Sequence, residues 1–316
     1  MVVERLLFLN RLQDQPKRYA YRLSEQIKAR LARKRGEGLE LFIHYVFKNH
    51  ATILSEWYAA KADAHYLQRA FPSYGERLRL VWAQIYKKGK PIDYVLGWTP
   101  FLGMQFRVQS PVLIPRRDTE TWLKSFLKDA KGLQNGKDLK ILEVGTGSGC
   151  IAITLAKNIK CHVTAIDKSD VAVQLARQNA ALNSVANVKS QRCNVFDNEA
   201  IRSLKGPFDL LISNPPYIPQ RHWSSLVSPN VRRWESTQAL LGGTDGCNFH
   251  RRLLDVATML RISTVVLELD GSESQVNLVR DIATTKGYCL IKSLPDIANR
   301  TRAVILSNAN AECGLR

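Results

Sequence analysis

Asn214-Pro215-Pro216-Tyr217 directly follows the run Asp209-Leu210-Leu211-Ile212-Ser213. Neither proline has an N–H to donate, and each fixes its own φ. Asn214 and Pro215 are pushed toward extended shapes because a proline follows each of them. The four residues therefore form a stiff backbone hook at the C-terminal end of a predicted strand, the end at which open α/β sheets bind ligands. The hook offers the amide oxygen of the Asn214 side chain, the backbone carbonyl of Pro215 and the ring of Tyr217. Two acceptors and an aromatic face suit a planar –NH2 group, and a stiff turn with a buried tyrosine is the plainer alternative.

A second set of candidates lies upstream in Glu143-Val144-Gly145-Thr146-Gly147-Ser148-Gly149. Alternating glycines let the backbone turn sharply and let a ligand come close. The spacing is G-x-G-x-G, not the dinucleotide G-x-G-x-x-G, and an acid stands just before it. Asp167 ends the next predicted strand, where a carboxylate can reach ribose hydroxyls. A nicotinamide cofactor would place its pyrophosphate on the helix N-terminus. S-adenosylmethionine carries no phosphate, and its sulfonium and ammonium groups favour carboxylates and carbonyls, so Glu143 points to that cofactor.

The elements that must position these groups alternate from Thr121 onward. A helical face of Trp122, Leu123, Phe126 and Leu127 precedes a strand at 139–144 and a helix opening at 151–156. Then come a strand at 162–167, a helix at 171–182, a strand near Val188 and the strand ending at Ser213. Further on are a helix around 251–260, strands at 264–269, 288–291 and 303–307, and a helix at 275–285. Such alternation means βαβ units and a mostly parallel sheet. The last two strands are joined by a short polar loop, which predicts an antiparallel pair. Residues 1–89 read as a helical domain, from aromatic and aliphatic residues recurring at i, i+3 and i+4. Residues 90–115, rich in Pro and Gly around Met104-Gln105-Phe106-Arg107-Val108, read as a linker with a short β-hairpin. The catalytic domain is expected over 116–310.

With these motifs in order, the chain resembles class I S-adenosylmethionine-dependent methyltransferases. More narrowly it is similar to the family that methylates the side-chain amide of glutamine in the Gly-Gly-Gln motif of peptide-chain release factors. The likeness covers roughly residues 85 to 307. Pro91-Ile92-Asp93-Tyr94-Val95-Leu96-Gly97, Phe101-Leu102-Gly103 and Val112-Leu113-Ile114-Pro115-Arg116-Arg117-Asp118-Thr119-Glu120 resemble its P-x-x-Y-x-x-G, F-x-G and V-L-I-P-R-x-E-T-E elements. After the hook, Glu235, Ala239-Leu240, Gly242-Gly243 and Asp245-Gly246 resemble E-P-x-x-A-L-x-G-G-x-D-G, and residues 296–302 resemble D-L-A-G-R-x-R. Asn194 stands where many relatives have an acid, and Val195 where some have a tryptophan. Ser236, Asn299 and Leu269-Asp270-Gly271 also depart from the pattern.

The resemblance implies a Rossmann-like fold with a mostly parallel seven-stranded sheet and a smaller N-terminal helical domain. It implies S-adenosylmethionine held by Glu143, Gly145, Thr146, Gly147, Ser148, Gly149, Asp167, Asn194, Val195 and Asn214. It assigns catalysis to Asn214, Pro215 and Tyr217, and substrate binding to those three with Pro216. The partner is a release factor, and no metal is called for. N-P-P-Y alone is shared with DNA adenine and rRNA guanine methyltransferases, so a base N-methyltransferase is the alternative. The Ile-Pro-Arg-x-x-Thr-Glu segment favours the release-factor branch.

Composition narrows the setting. Of 316 residues, 46 are Lys or Arg and 28 are Asp or Glu, a net charge of +18 that runs through both halves of the chain. That excess suits a nucleic-acid or ribonucleoprotein partner, or a basic compartment. The Arg-rich amphipathic start lacks a secretory h-region and resembles a mitochondrial transit helix, with a cytoplasmic site as the alternative. Six scattered cysteines without a C-x-x-C pair argue against a disulfide framework and a zinc site. A monomer that spans no membrane is expected. Three further groups are open. The 218–247 segment could be a lid, with Trp223 and Trp234 covering the site or anchoring the core. His222 could touch substrate, though a surface role is expected. Arg116 and Glu120 could brace the entrance or pair with each other, and Cys150 reads as a small buried residue.

Overall fold

The computed structural model describes residues 88–91, 93–94, 97–133 and 137–308. The expected helical domain over 1–89 lies almost wholly outside the described residues. Among the described residues the strands form a two-stranded hairpin and a seven-stranded sheet. The hairpin joins β1 (Trp98–Phe101) to β2 (Met104–Arg107), as the alternation around Phe106 predicts.

In the large sheet the strands are β3 (Leu139–Val144), β4 (Cys161–Asp167), β5 (Val188–Arg192), β6 (Leu210–Ser213), β7 (Thr264–Glu268), β8 (Tyr288–Pro295) and β9 (Thr301–Asn308). Their order is β5-β4-β3-β6-β7-β9-β8. All pairings are parallel up to β7, while β9 is antiparallel to both neighbours. The backbone thus builds outward from β3 through β4 to β5, crosses back, and lays β6 against the other edge of β3. Between β3 and β6 the direction of winding reverses, which opens a crevice at the strands' C-terminal ends. The glycine turn leaves β3 there and the Asn-Pro-Pro-Tyr hook leaves β6 there.

Helices cover both faces: α1 (Arg117–Leu133), α2 (Cys150–Asn158), α3 (Asp170–Leu182), α4 (Asn198–Arg202), α5 (Trp223–Leu226), α6 (Pro229–Trp234), α7 (Asn248–Met259) and α8 (Glu273–Thr285). Trp122, Leu123 and Phe126 of α1 and Ile153 and Leu155 of α2 pack with Ile141, Ile212 and Val266 on one face. Leu253, Val256 and Val279 of α7 and α8 pack with Leu142, Leu211 and Val265 on the other. A strand covered on both sides has no solvent face, so β3, β6 and β7 are apolar almost throughout. Among their few polar residues are two buried carboxylates, Glu143 near the end of β3 and Glu268 at the end of β7. They flank the strand that carries the hook.

The 218–247 segment is a folded strap. It carries α5, α6 and two short 3-10 turns, and Ile218 bridges Leu241. The Ser236 N–H donates to the Pro111 carbonyl at 2.8 Å, clipping the strap to the stretch before α1.

Candidate active site

A cavity of about 240 Å3 occupies the crevice, lined by Glu143, the turn from Gly145 to Ser148, Asp167, Asn194, Val195 and Asn214 to Pro216. The structure therefore brings together residues that lie up to 73 positions apart, from Glu143 to Pro216. Two expected contacts fall outside it. Gly149 caps α2 in a left-handed conformation (φ +83°), and a Cβ there would sit 2.9 Å from Ile153 and 3.1 Å from Ala176. Its lack of a side chain serves helix packing. Tyr217 does not line the cavity either. It is partly buried, with its hydroxyl turned toward Glu268 Oε1 at 3.5 Å, so its ring forms no wall for a planar amide here.

The glycine turn is tied down by its own amides. Gly145 and Thr146 donate their N–H groups to the Ile166 carbonyl at the end of β4, at 2.8 and 3.0 Å. Gly147 donates to Asp167 Oδ2 at 3.1 Å, and Gly149 to the Thr146 carbonyl at 2.8 Å. A phosphate-binding turn aims free N–H groups at its anion. Here the Gly145, Thr146, Gly147 and Gly149 amides are already engaged. Glu143 lines the same space and accepts from Thr146 Oγ1 at 2.5 Å. Burial pushes its carboxyl up to about 8, against the pull of Thr146 and the Ala152 N–H, with Asp167 adding to the rise. The region holds a buried acid that a cation would stabilise as carboxylate. That acid fits a sulfonium or ammonium group and opposes a pyrophosphate. Asp167 is raised by burial and held down by the N–H groups of Ser169 and Gly147.

At the hook, Asn214 Nδ2 donates to Thr119 Oγ1 at 3.1 Å. Thr119 Oγ1 donates to Glu268 Oε2 at 2.7 Å, and Trp122 Nε1 donates to the same oxygen at 2.7 Å. Among the described residues no donor reaches Asn214 Oδ1 or the Pro215 carbonyl. Both residues line the cavity. From behind, Gln275 Nε2 donates to the Tyr217 carbonyl at 2.9 Å, while within the strap the Ile218 N–H donates to the Leu240 carbonyl and the Gly242 N–H to the Ile218 carbonyl. His250 Nε2 donates to the Glu268 carbonyl at 3.0 Å, and burial lowers that imidazole to about 4, so it is neutral near pH 7.

The Ile-Pro-Arg-x-x-Thr-Glu segment resolves into separate duties. Ile114 packs with Tyr94 and Val108, and Trp234 leans on them. Arg116 does not pair with Glu120; it binds Glu235 Oε2 at 2.5 Å and lines the cavity. Glu120 accepts from the Leu102 N–H at 2.6 Å, fixing the β1–β2 turn to α1. Asn179 of α3, fully buried, accepts from the Arg107 N–H and donates to the Arg107 and Ser148 carbonyls, joining hairpin, helix and glycine turn.

Neither tryptophan of the strap covers the site. Trp234 is an anchor, and Ser236, Gln238 and Ala239 supply the strap's side of the cavity, without Trp223 or His222. Cys150 lines it but is inert, its thiol pushed up to about 12 by burial and then by Glu143. Sequence reasoning missed Glu268, although an acid directly after the apolar Val265-Val266-Leu267 was a visible signal. It also missed Phe196 and Phe249, whose edge-to-face rings (5.2 Å apart) meet at the cavity wall. Neither stands out by spacing.

Fold and site together define a methyltransferase, and the family model described as a methyltransferase domain matches residues 135–293. Over 227 residues the chain is 33% identical to the release factor glutamine methyltransferase of Thermodesulfovibrio yellowstonii, a stretch covering 71% of this chain and 78% of that protein. It is 40% identical over 204 residues to the protein of that name from Chlorobaculum tepidum, covering 61% and 67%. The chain belongs to the release factor glutamine methyltransferase family. Among solved structures, the hMettl16 catalytic domain in complex with MAT2A 3′UTR hairpin 6 superposes with a TM-score of 0.50 at 13% identity, covering 74% of this chain and 81% of that one. That likeness is one of fold alone.

Proposed function

We propose that this protein transfers a methyl group from S-adenosylmethionine to the side-chain amide nitrogen of the glutamine in the Gly-Gly-Gln motif of a peptide-chain release factor. The observation that carries the reading is the hook itself: Asn214 turns its Nδ2 onto Thr119 and leaves Oδ1 free beside the Pro215 carbonyl at the cavity. When bound, S-adenosylmethionine supplies an electrophilic methyl on a sulfonium. Glu143, Asp167, the Gly145–Ser148 turn, Asn194 and Val195 are the residues that would hold it.

An amide nitrogen is a poor nucleophile, because its lone pair is delocalised into the carbonyl. Asn214 Oδ1 and the Pro215 carbonyl would each accept one N–H of the glutamine amide. That fixes the nitrogen's direction, an orientation effect of several kcal/mol. The same two oxygens meet the positive charge that develops as the nitrogen pyramidalises. They gain strength as the charge grows, which lowers the barrier more than the ground state. The extra proton passes to water once the N–C bond has formed. The mechanism requires no nucleophilic side chain, which agrees with the inert Cys150 and the neutral, structurally engaged His250.

Methyl-labelled S-adenosylmethionine offered with a release factor, the same factor with its Gly-Gly-Gln glutamine changed, and duplex DNA or rRNA tests this. Label should appear on the unmodified factor alone. Label on nucleic acid and none on the factor would overturn the reading. The basic excess and Arg-rich start support action in the mitochondrion. A fusion of residues 1–35 to a fluorescent protein that stayed outside mitochondria would remove that part.

A further inference from the structure

We propose that Glu268, which does not line the cavity, sets the polarity of the Asn214 amide through Thr119 and so acts as a positioning residue for methyl transfer. The inference rests on the reading that Asn214 Oδ1 accepts from the substrate amide. An Asn side chain presents a donor or an acceptor depending on a half-turn about its last bond, and the substrate –NH2 needs the acceptor. Something must choose between the two.

Hydrogen counting along the series of bonds makes the choice. The Trp122 indole N–H can only donate, so Glu268 Oε2 must accept from it. Thr119 has a single hydroxyl hydrogen, and the Glu268 carboxylate takes it at 2.7 Å. Thr119 Oγ1 then has only lone pairs left to offer Asn214. At 3.1 Å it accepts Nδ2–H readily, whereas a reversed amide would set two oxygens against each other. The acceptor Oδ1 is thereby left for the cavity. Packing alone does not call for this acid. A buried carboxylate is costly, and a neutral isostere would fill the same space at similar or better stability.

Replacing the acid by an apolar residue removes the bias. In Glu268→Leu the Thr119 hydroxyl loses its acceptor and is free to donate to Asn214 Oδ1, and the wrong orientation becomes as good as the right one. In Glu268→Gln the Trp122 N–H holds the amide oxygen at the Oε2 position, so Thr119 keeps its acceptor and the bias remains. A proton on Glu268 would likewise sit on Oε1 and leave Oε2 accepting. The charged, titratable and polar groups facing it are Thr119, Trp122 and Asp118 from α1, Tyr217 beyond β6, and Arg302 from β9, with His250 of α7 on its backbone carbonyl. Burial brings Glu268 up to about 7, against the pull of Trp122, Thr119 and Arg302. His250 sits near 4 and Tyr217 far above its ordinary value, so neither changes charge between pH 6 and 8.

The test is steady-state methylation of a release factor at saturating cofactor by the wild type, Glu268→Leu, Glu268→Gln, Thr119→Val, Thr119→Ser and Asn214→Ala, with cofactor affinity by calorimetry and thermal melting alongside. Glu268→Leu and Thr119→Val should each lose about tenfold to a hundredfold in kcat, the scale of one misdirected preorganised dipole. Thr119→Ser, which keeps the hydroxyl, and Glu268→Gln, which keeps the acceptor, should stay near wild type. Cofactor affinity should hold within about twofold in the Glu268 and Thr119 variants, since neither group is assigned to the cofactor. Glu268→Gln should melt no lower than wild type. The pH profile of kcat between pH 6 and 8 should be the same for the wild type and Glu268→Gln. Wild-type kcat in both Glu268→Leu and Thr119→Val, with Asn214→Ala inactive, overturns the relay and leaves the hook standing. So does a kcat loss that tracks lost cofactor affinity and a lowered melting temperature. An active Asn214→Ala overturns the hook, and the relay with it.

Discussion

Replacing Glu143 by Gln should abolish a pH dependence of cofactor binding that its burial creates. In the free protein this carboxyl, fully buried at the end of β3, is raised from 4.5 to about 8. At pH 7 it is then about nine-tenths protonated. A sulfonium or ammonium placed beside it favours the anion, so binding must expel that proton. Affinity for S-adenosylmethionine should therefore rise about fiftyfold from pH 6 to pH 8 and level off by pH 9. At pH 7, about 0.9 proton should leave per cofactor bound. Isothermal titration in buffers of different ionisation enthalpy measures both quantities. The Glu143→Gln side chain has no proton to lose, so that variant's affinity should be flat across the range. Its deficit against wild type should be small at pH 6 and grow to about a hundredfold at pH 9, the full rise of the wild type. The folded pKa is raised, so the cofactor-free protein binds more protons than the unfolded state between pH 4.5 and 8. Its stability should fall as pH rises through that window, and the Gln variant should be spared this fall. An affinity flat in pH for the wild type, with no buffer-dependent heat, would refute the assignment of Glu143 to the cofactor's cation.

Three further outcomes are expected. Asn214→Ala should cut kcat about a hundredfold to a thousandfold while cofactor affinity by calorimetry stays close to wild type; wild-type turnover would remove Asn214 from the chemistry. Gly149→Ala should lose about 2–4 kcal/mol in denaturant unfolding, because a Cβ at φ +83° is strained and meets Ile153 and Ala176 at 2.9 and 3.1 Å; an unchanged midpoint would contradict that close packing. Asn179→Ala should cost about 1–3 kcal/mol, since it strands the Arg107 N–H and two carbonyls, read from the same unfolding curves.

Much of this protein was open to inspection in its residues, because the informative signals are local along the backbone. Two prolines after Asn214 stiffen the backbone wherever they fall, and an apolar run of four or five residues bounded by turns is a strand on both sides of the crevice. The parallel core, the hairpin at 98–107 and the antiparallel end follow from patterns within a dozen residues of each other. What lay beyond reach depends on which strands become neighbours. No spacing announces that β9 inserts between β7 and β8, or that β3 and β7 flank β6. Only that order sets Glu143 and Glu268 on either side of the hook, 125 positions apart in sequence. Arg116 finds Glu235 and not Glu120, and Tyr217 faces Glu268 and not the cavity, because a side chain's partner is settled by packing in three dimensions. Residue types and their order thus set which chemistry was available, while the winding of the sheet decided which atoms would meet to perform it.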